Sequence, residues 1–422
     1  MEQVKKIWKA RDLRNSLLFV VLCLAVFRLA AHIPIPGVNV RALQDFFNAN
    51  QALGLLNLFT GGGMQNFSIV MMGVGPYITA SIIFQLLGMM IPKLEEMNKE
   101  EAGRAKINMW SRWITVPLSM LQSYSMILLL KRSTAGIIAD MDLLATISMI
   151  ITITAGTVML MWLGELINEK KVGNGISIMI FAGIVASLPS TIQRTLTTYD
   201  PTMLLTILGF VVVAVITVIG VVIINEGQRN IPVQYARQVR GNRVFGGSST
   251  HLPLRVNMAG VMPIIFAVAI VTAPQTIAQF FIHAKSDWLV MVAEWTVRAF
   301  NNQLVYGLLY FLLVFGFTYF YTEVIFHPEQ IAENLQKQGG FIPGIRPGKH
   351  TSDYLGHTAN KVIFSGALFL ALIAVLPLTM RYFTGTRWLT IGGTSLLIVV
   401  SVVIDMVKQV QAQLSMRDYE MM

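Results

Sequence analysis

Apolar runs near twenty residues long recur along the chain, separated by shorter polar segments that carry most of its charges. About twenty helical residues cross the ~30 Å of hydrocarbon in a bilayer. The pattern therefore predicts helical spans at 17–33, 67–91, 113–130, 143–163, 176–188, 203–224, 261–282, 304–325, 362–378 and 388–407. The fifth of these ten is short, and the second and seventh are interrupted by Gly and Pro. Such breaks are tolerated at membrane depth only where protein or a water-filled cavity satisfies the freed backbone groups. The expected fold class is all-α, a polytopic membrane protein with ten transmembrane helices.

Composition sharpens this picture. Of 422 residues 54% are hydrophobic and only 13% charged, about half the roughly 25% of soluble domains, which excludes a single soluble globule. The one cysteine, Cys23, sits inside an apolar run and rules out a disulfide framework or a cysteine metal site. The first run follows a basic head but has no small-residue cleavage site and continues into His32-Ile-Pro-Ile-Pro-Gly37. It reads as a retained span, not a removed signal peptide. With the N-terminus inside, 23 of the 32 basic residues fall on the cytoplasmic side and 8 on the other, with Arg28 inside the first span. Lysine and arginine favour cytoplasmic loops, so both termini are expected to face the cytoplasm.

Five spans per half is an odd number, so structurally related halves, at 1–195 and 196–422, would have to be inverted relative to each other. Gly73-Val-Gly-Pro76 in the second span and Gly260-Val-Met-Pro263 in the seventh are four-residue breaks at the same ordinal place in each half. Gly173-Asn-Gly-Ile-Ser177 and Gly392-Gly-Thr-Ser395 likewise open the fifth and tenth. Paired interruptions of this kind point to a working site at a repeat interface.

Enzyme chemistry finds no footing. The histidines show no metal-ligand spacing, no Gly-x-Ser-x-Gly elbow occurs, and Pro343-Gly-Ile-Arg-Pro-Gly-Lys-His350 lacks the first Gly and final Ser/Thr of a phosphate loop. No catalytic residue, cofactor or metal site is expected. Arg28, Glu165 and Asp405 lie near span ends, Arg28 within snorkelling reach of the interface, and each suits a structural anchor or loop partner better than a coupling site. An inverted-repeat carrier of a small solute is the alternative, and it predicts polar or charged groups at midplane.

From the second span onward the chain resembles the SecY family, channel subunits of the protein translocon. The resemblance rests on Leu58-Phe-Thr-Gly-Gly-Gly-Met-Gln-Asn-Phe-Ser-Ile-Val-Met-Met-Gly-Val-Gly-Pro-Tyr-Ile78, Ile33-Pro-Ile-Pro-Gly37, Met161-Trp-Leu-Gly-Glu165, Gly173-Asn-Gly-Ile-Ser177, Glu226-Gly-Gln-Arg229, Val256-Asn-Met-Ala-Gly260 and Phe341-Ile-Pro-Gly-Ile-Arg-Pro-Gly348. It implies two five-helix halves around a pore, closed by an aliphatic ring that falls on Val74, Ile78, Ile180, Ile265 and Ile398. Four of these follow a glycine by five residues: Gly73, Gly175, Gly260 and Gly393. It also implies a plug helix at about 53–73, including Gly61, Gly62, Gly63, Met64, Gln65, Asn66 and Phe67. A lateral gate near Gln85, Gln122 and Asn257 would release apolar segments into lipid. The long cytoplasmic loops at about 225–255 and 327–361, with Arg237, Arg240, Arg243 and Arg346, would dock the ribosome and the motor ATPase SecA. Asn242 departs from a position commonly basic. The implied partners are SecE, SecG, signal sequences, nascent polypeptides and anionic lipids. The implied location is the bacterial cytoplasmic membrane.

Overall fold

The computed structural model describes residues 10–49, 57, 60–132, 137–138, 142–197, 204–235, 238–240, 243–245, 249–282, 286–384 and 391–420. Its helices are α1 (Arg11–Ala31), α2 (Val40–Ala49), α3 (Gly75–Met90), α4 (Pro92–Lys99), α5 (Glu101–Arg132), α6 (Leu143–Glu169), α7 (Gly175–Thr197) and α8 (Leu204–Glu226), then α9 (Met262–Phe281), α10 (Asp287–Asn301), α11 (Gln303–Ile325), α12 (Pro328–Lys337), α13 (Lys349–Thr384) and α14 (Ile391–Glu420). Among the described residues seven helical segments are long and apolar enough to cross a membrane, and an eighth is the pair α3–α4, bent by 111°. The shorter apolar helices Gly175–Ser190 and Met262–Val271 complete the ten apolar runs read from the sequence. The short ones are those whose helix starts only after a glycine break.

Internal packing divides the chain into two compact units. The first comprises Met1–Leu205, Ala269–Asn302 and Val402–Met422. The second comprises Thr206–Val268 and Gln303–Ser401.

In the first unit, Ile35, Leu43, Phe47, Phe67, Leu130, Ile137 and Ile153 form a buried cluster with Met64, Met71, Met72, Met126 and Met149. Thioethers on unbranched chains fill irregular gaps of this kind. Residue 156 must be glycine, because a Cβ there would land on the carbonyl oxygen of Ile69. The turn between α6 and α7 has the same economy: a Cβ on Gly175 would strike the Gly164 carbonyl. Asn168 Oδ1 accepts from Gly175 N at 2.7 Å, and Asn174 Oδ1 accepts from Ile176 N at 3.1 Å and Ser177 N at 3.2 Å. Asn174 thereby caps orphan donors at the start of α7. The two glycine motifs of this region are the two sides of one tight helix junction. Arg112 on α5 pairs with Glu165 on α6, the anchoring role expected of that acid.

In the second unit, α11 packs lengthwise on α13, and Gly220 on α8 leaves room for Ile373 and Phe369. Phe266 meets Phe317 and Tyr321 edge to face, with ring centroids 6.2 and 5.7 Å apart. The segment expected as a long loop is largely β-structure. Strand β1 (Gln228–Tyr235) pairs antiparallel with β4 (Ser249–Arg255) in the register Ile231↔Leu252, and β5 (Gly340–Phe341) adds to its other edge. Strands β2 (Gln238–Arg240) and β3 (Arg243–Phe245) form a separate two-stranded ribbon. Prolines 232 and 253 mask this sheet in the sequence, yet the period-2 burial of Ile231 and Val233 betrays it. Both side chains join Leu254, Leu335, Ile342 and Leu355 in a second core. Helix α13 begins at Lys349, well before the apolar run at 362, so it carries the membrane helix outward into this polar region.

Candidate functional site

The two glycine breaks share one backbone conformation. Gly73 has φ +56° and Gly260 φ +63°, a region L side chains rarely adopt. Each turns the chain into an apolar helix with proline in its first turn, Pro76 in α3 and Pro263 in α9. Proline is tolerated there because its missing N–H is an orphan in any case. Ile78 N then donates to Val74 O at 3.0 Å, and Ile265 N to Val261 O at 3.3 Å. In the first unit Val74 is 4% exposed, Ile78 9% and Ile180 0%; in the second Ile265 is 4% and Ile398 0%. All five positions named for an aliphatic ring are thus buried at or just after a helix start.

Residues 60–74 fold back as a series of turns. The expected plug helix begins at about 53, and residues 51–56, 58 and 59 lie outside the described residues. Gly61 and Gly62 take φ +65° and +85°, and Phe67 takes φ +47°, a strained setting for a buried aromatic. Asn57 organises the turn: its backbone oxygen accepts from Gly62 N at 3.0 Å and its Oδ1 from Gln65 N at 2.9 Å. The segment is laced to the chain after α1 by Ile35 N to Phe67 O at 2.9 Å and Ile69 N to Ile33 O at 3.1 Å. Asn66 Nδ2 adds a bond to Ala31 O at 3.4 Å. Met64 and Phe67 are buried beneath it.

Arg28 has the loop partner expected of it: Nη1 donates to Gly61 O at 2.6 Å. The signal available beforehand was the presence of an arginine in a span at all, but its acceptor is a backbone carbonyl that no side-chain pattern announces.

Among the polar residues named for a gate, Gln85 on α3 reaches Ser81 Oγ at 3.4 Å from Nε2, and Gln122 is half-buried on α5. Asn257 is buried and donates from Nδ2 to Asn225 Oδ1 at 2.7 Å and to Gly260 O at 3.1 Å. Asn225 in turn donates from Nδ2 to Ser401 Oγ at 3.0 Å. Asn225 and Ser401 escaped the sequence reading as partners: Asn225 falls where the apolar run of α8 meets the polar loop, and Ser401 is a lone hydroxyl in the apolar run of α14.

Of the basic loop residues, Arg237 and the departing Asn242 lie outside the described residues. Arg240 and Arg243 are directly opposed across β2 and β3. Arg346 is exposed on a turn bounded by Gly344 (φ +80°) and Gly348 (φ +93°), with its carbonyl accepting from Thr351 Oγ1 at 2.9 Å.

Among the described residues, ten apolar helical segments, two matching backbone breaks and an inserted turn segment define a multi-pass helical membrane protein. A family model described as SecY matches residues 68–407. The protein translocase subunit SecY of Halalkalibacterium halodurans is 43% identical over 430 residues, covering 99% of this chain and 98% of that protein. Those of Bacillus subtilis and Thermotoga maritima are also 43% identical, over 99% of this chain and 98% and 96% of theirs. A solved structure described as a protein conducting channel has the same fold, with TM-score 0.63 and 16% identity over 93% of this chain and 91% of that one. Sec61 in a canine ribosome-channel complex follows at TM-score 0.59 and 15% identity, over 93% of this chain and 91% of that one. The chain belongs to the SecY family.

Proposed function

We propose that this chain is the protein-conducting subunit of a bacterial Sec translocase, threading unfolded polypeptides across the cytoplasmic membrane and releasing apolar segments sideways into lipid. The supporting observation is the aliphatic set: Val74, Ile78 and Ile265 are buried at the Gly73 and Gly260 breaks, and Ile180 and Ile398 are buried within the first turns of α7 and α14. A constriction lined by such side chains gates by dewetting. It also seals around any polypeptide, because aliphatic contacts carry no sequence code. A small-solute carrier would need charge at this depth, and the Arg28 and Glu165 side chains are engaged by Gly61 and Arg112 instead.

On this reading the halves 1–195 and 196–422 are inverted repeats, residues 60–73 belong to the plug, and Gln85, Gln122 and Asn257 lie along the lateral gate. The subunit does no chemistry of its own, and a motor or the ribosome supplies the drive. Exposed Arg346, with Arg237, Arg240 and Arg243, offers the charge that SecA and ribosomal RNA attract, while SecE and SecG complete the assembly. Both termini face the cytoplasm, and the basic loops there also meet anionic lipid headgroups.

The test is photocrosslinking from probes at Ile78 and Ile398 with an arrested nascent chain engaged. Adducts to the long polypeptide from both positions are expected. Absence of adducts at both, in a complex that still binds the chain, overturns the reading.

A further inference from the structure

Arg28 is an expensive residue. It lies in an apolar span of a membrane helix, where a guanidinium is kept only with a partner. Among the described residues its guanidinium meets not a carboxylate but the carbonyl of Gly61, 2.6 Å from Nη1. That carbonyl is aimed by an unusual backbone. Gly61 sits at φ +65°, and a Cβ on it would meet Gly183 Cα of α7 at 2.9 Å, Phe27 Cζ at 3.0 Å and Arg28 Nη1 itself at 3.2 Å. The turn is pressed between α1 and α7 with no room for any side chain, and this close approach brings its carbonyl onto the guanidinium.

The two components need each other. A charged donor in low dielectric makes a strong hydrogen bond and suffers heavily without one. Moving residues 60–66 out of their seat removes this acceptor from a half-buried guanidinium in the last turn of α1. The other described ties of the segment to residues 31–35, Ile35 N to Phe67 O, Ile69 N to Ile33 O and Asn66 Nδ2 to Ala31 O, are neutral.

We propose that Arg28 is a positioning residue that latches the plug turn shut through the Gly61 carbonyl, so that opening requires this bond to break. The inference rests on reading residues 60–73 as the plug. It assigns Arg28 a regulatory role in the resting seal.

The test uses the full assembled translocase in vesicles holding a small fluorescent dye, without substrate. Arg28→Met keeps length and removes the donor; Gly61→Ala leaves Arg28 intact and forces the turn off its seat. Both are expected to raise idle dye efflux roughly ten- to a hundredfold, the worth of a charge-assisted hydrogen bond. Both should also speed labelling by a membrane-impermeant thiol reagent of a cysteine at Met64, buried in the parent. Arg28→Lys, which retains a charged donor group on a differently shaped head, should fall between, an ordering that mere loss of packing does not give. Parent-level efflux and labelling in Arg28→Met and Gly61→Ala overturn the latch. Deleting residues 60–66 separates the two ideas. Raised efflux in the deletion but not in Arg28→Met defeats only the latch, whereas parent-level efflux in the deletion defeats the plug reading itself. If Arg28→Met does not assemble, Gly61→Ala and Arg28→Lys decide the matter by the same readouts.

Discussion

Asn257 donates both of its described bonds from one amide nitrogen, to Asn225 Oδ1 and Gly260 O. One side chain therefore ties the end of α8 to the glycine break that opens α9, and Asn225 extends the chain to Ser401 on α14. Interhelical hydrogen bonds in membranes average about 0.6 kcal/mol and reach about 1.7, small enough for an apolar segment to outbid them. Asn257→Leu is expected to lower the hydrophobicity at which a graded series of signal sequences is released sideways. A double-mutant cycle with Asn225→Leu should return a coupling of about 0.5–1.5 kcal/mol; an unmoved threshold refutes a gating role for the amide. At this scale the sequence was a partial guide. Asn257 stood out because it adjoins a recognisable glycine motif. Arg28 stood out as a charge in a span, but its acceptor is main chain, and main-chain acceptors leave no mark on composition.

Helices and their junctions were more legible than contacts. Each predicted span has an apolar helical counterpart, since apolar length is what the bilayer demands. The breaks at Gly73 and Gly260 were visible as Gly/Pro punctuation, and both adopt positive φ. What escaped was the sheet, whose strands carry prolines, and the surface helix α10, with Trp288, Met291 and Trp295 exposed. Close packing was also hidden. Gly156 reads as an ordinary membrane-helix glycine until the Ile69 carbonyl is found where its Cβ would sit. Gly156→Ala must push residues 69–70 away from α6, an overpacking cost of about 1–3 kcal/mol. The expected result is a lower thermal transition of the detergent-solubilised complex, with Gly316→Ala, where nothing lies within 4 Å, as the neutral comparison.

For the whole molecule, hydropathy and the distribution of basic residues gave the spans and the expected topology, while the division into packed units was not foreseeable. The reason is physical: lipid tails and protein interiors are both apolar, so a membrane helix does not advertise which face is buried. Helix α8 has a mean hydropathy of 3.3, yet only 17% of its apolar window is buried. The cytoplasmic region is the exception, because there water restores the contrast. Ile231, Val233, Leu254, Leu335, Ile342 and Leu355 form its core and hold the Gly344–Gly348 turn that presents Arg346. Arg346→Glu reverses charge on an exposed turn without touching that core. It is expected to abolish ATP-driven translocation while the complex still assembles and its thermal transition is unchanged. Normal translocation by that variant argues against docking at this turn.

The methionines packed around residues 60–72 carry a chemical consequence. Met64, Met71, Met72, Met126 and Met149 are buried with Phe67 in one cluster, so in the resting protein their sulfurs are shielded from peroxide and other oxidants. Displacing residues 60–72 uncovers them, and sulfoxide formation would place a polar, chiral S=O where a soft apolar group must be received again. With residues 60–73 as the proposed plug, each opening under oxidising conditions risks a seal that no longer closes.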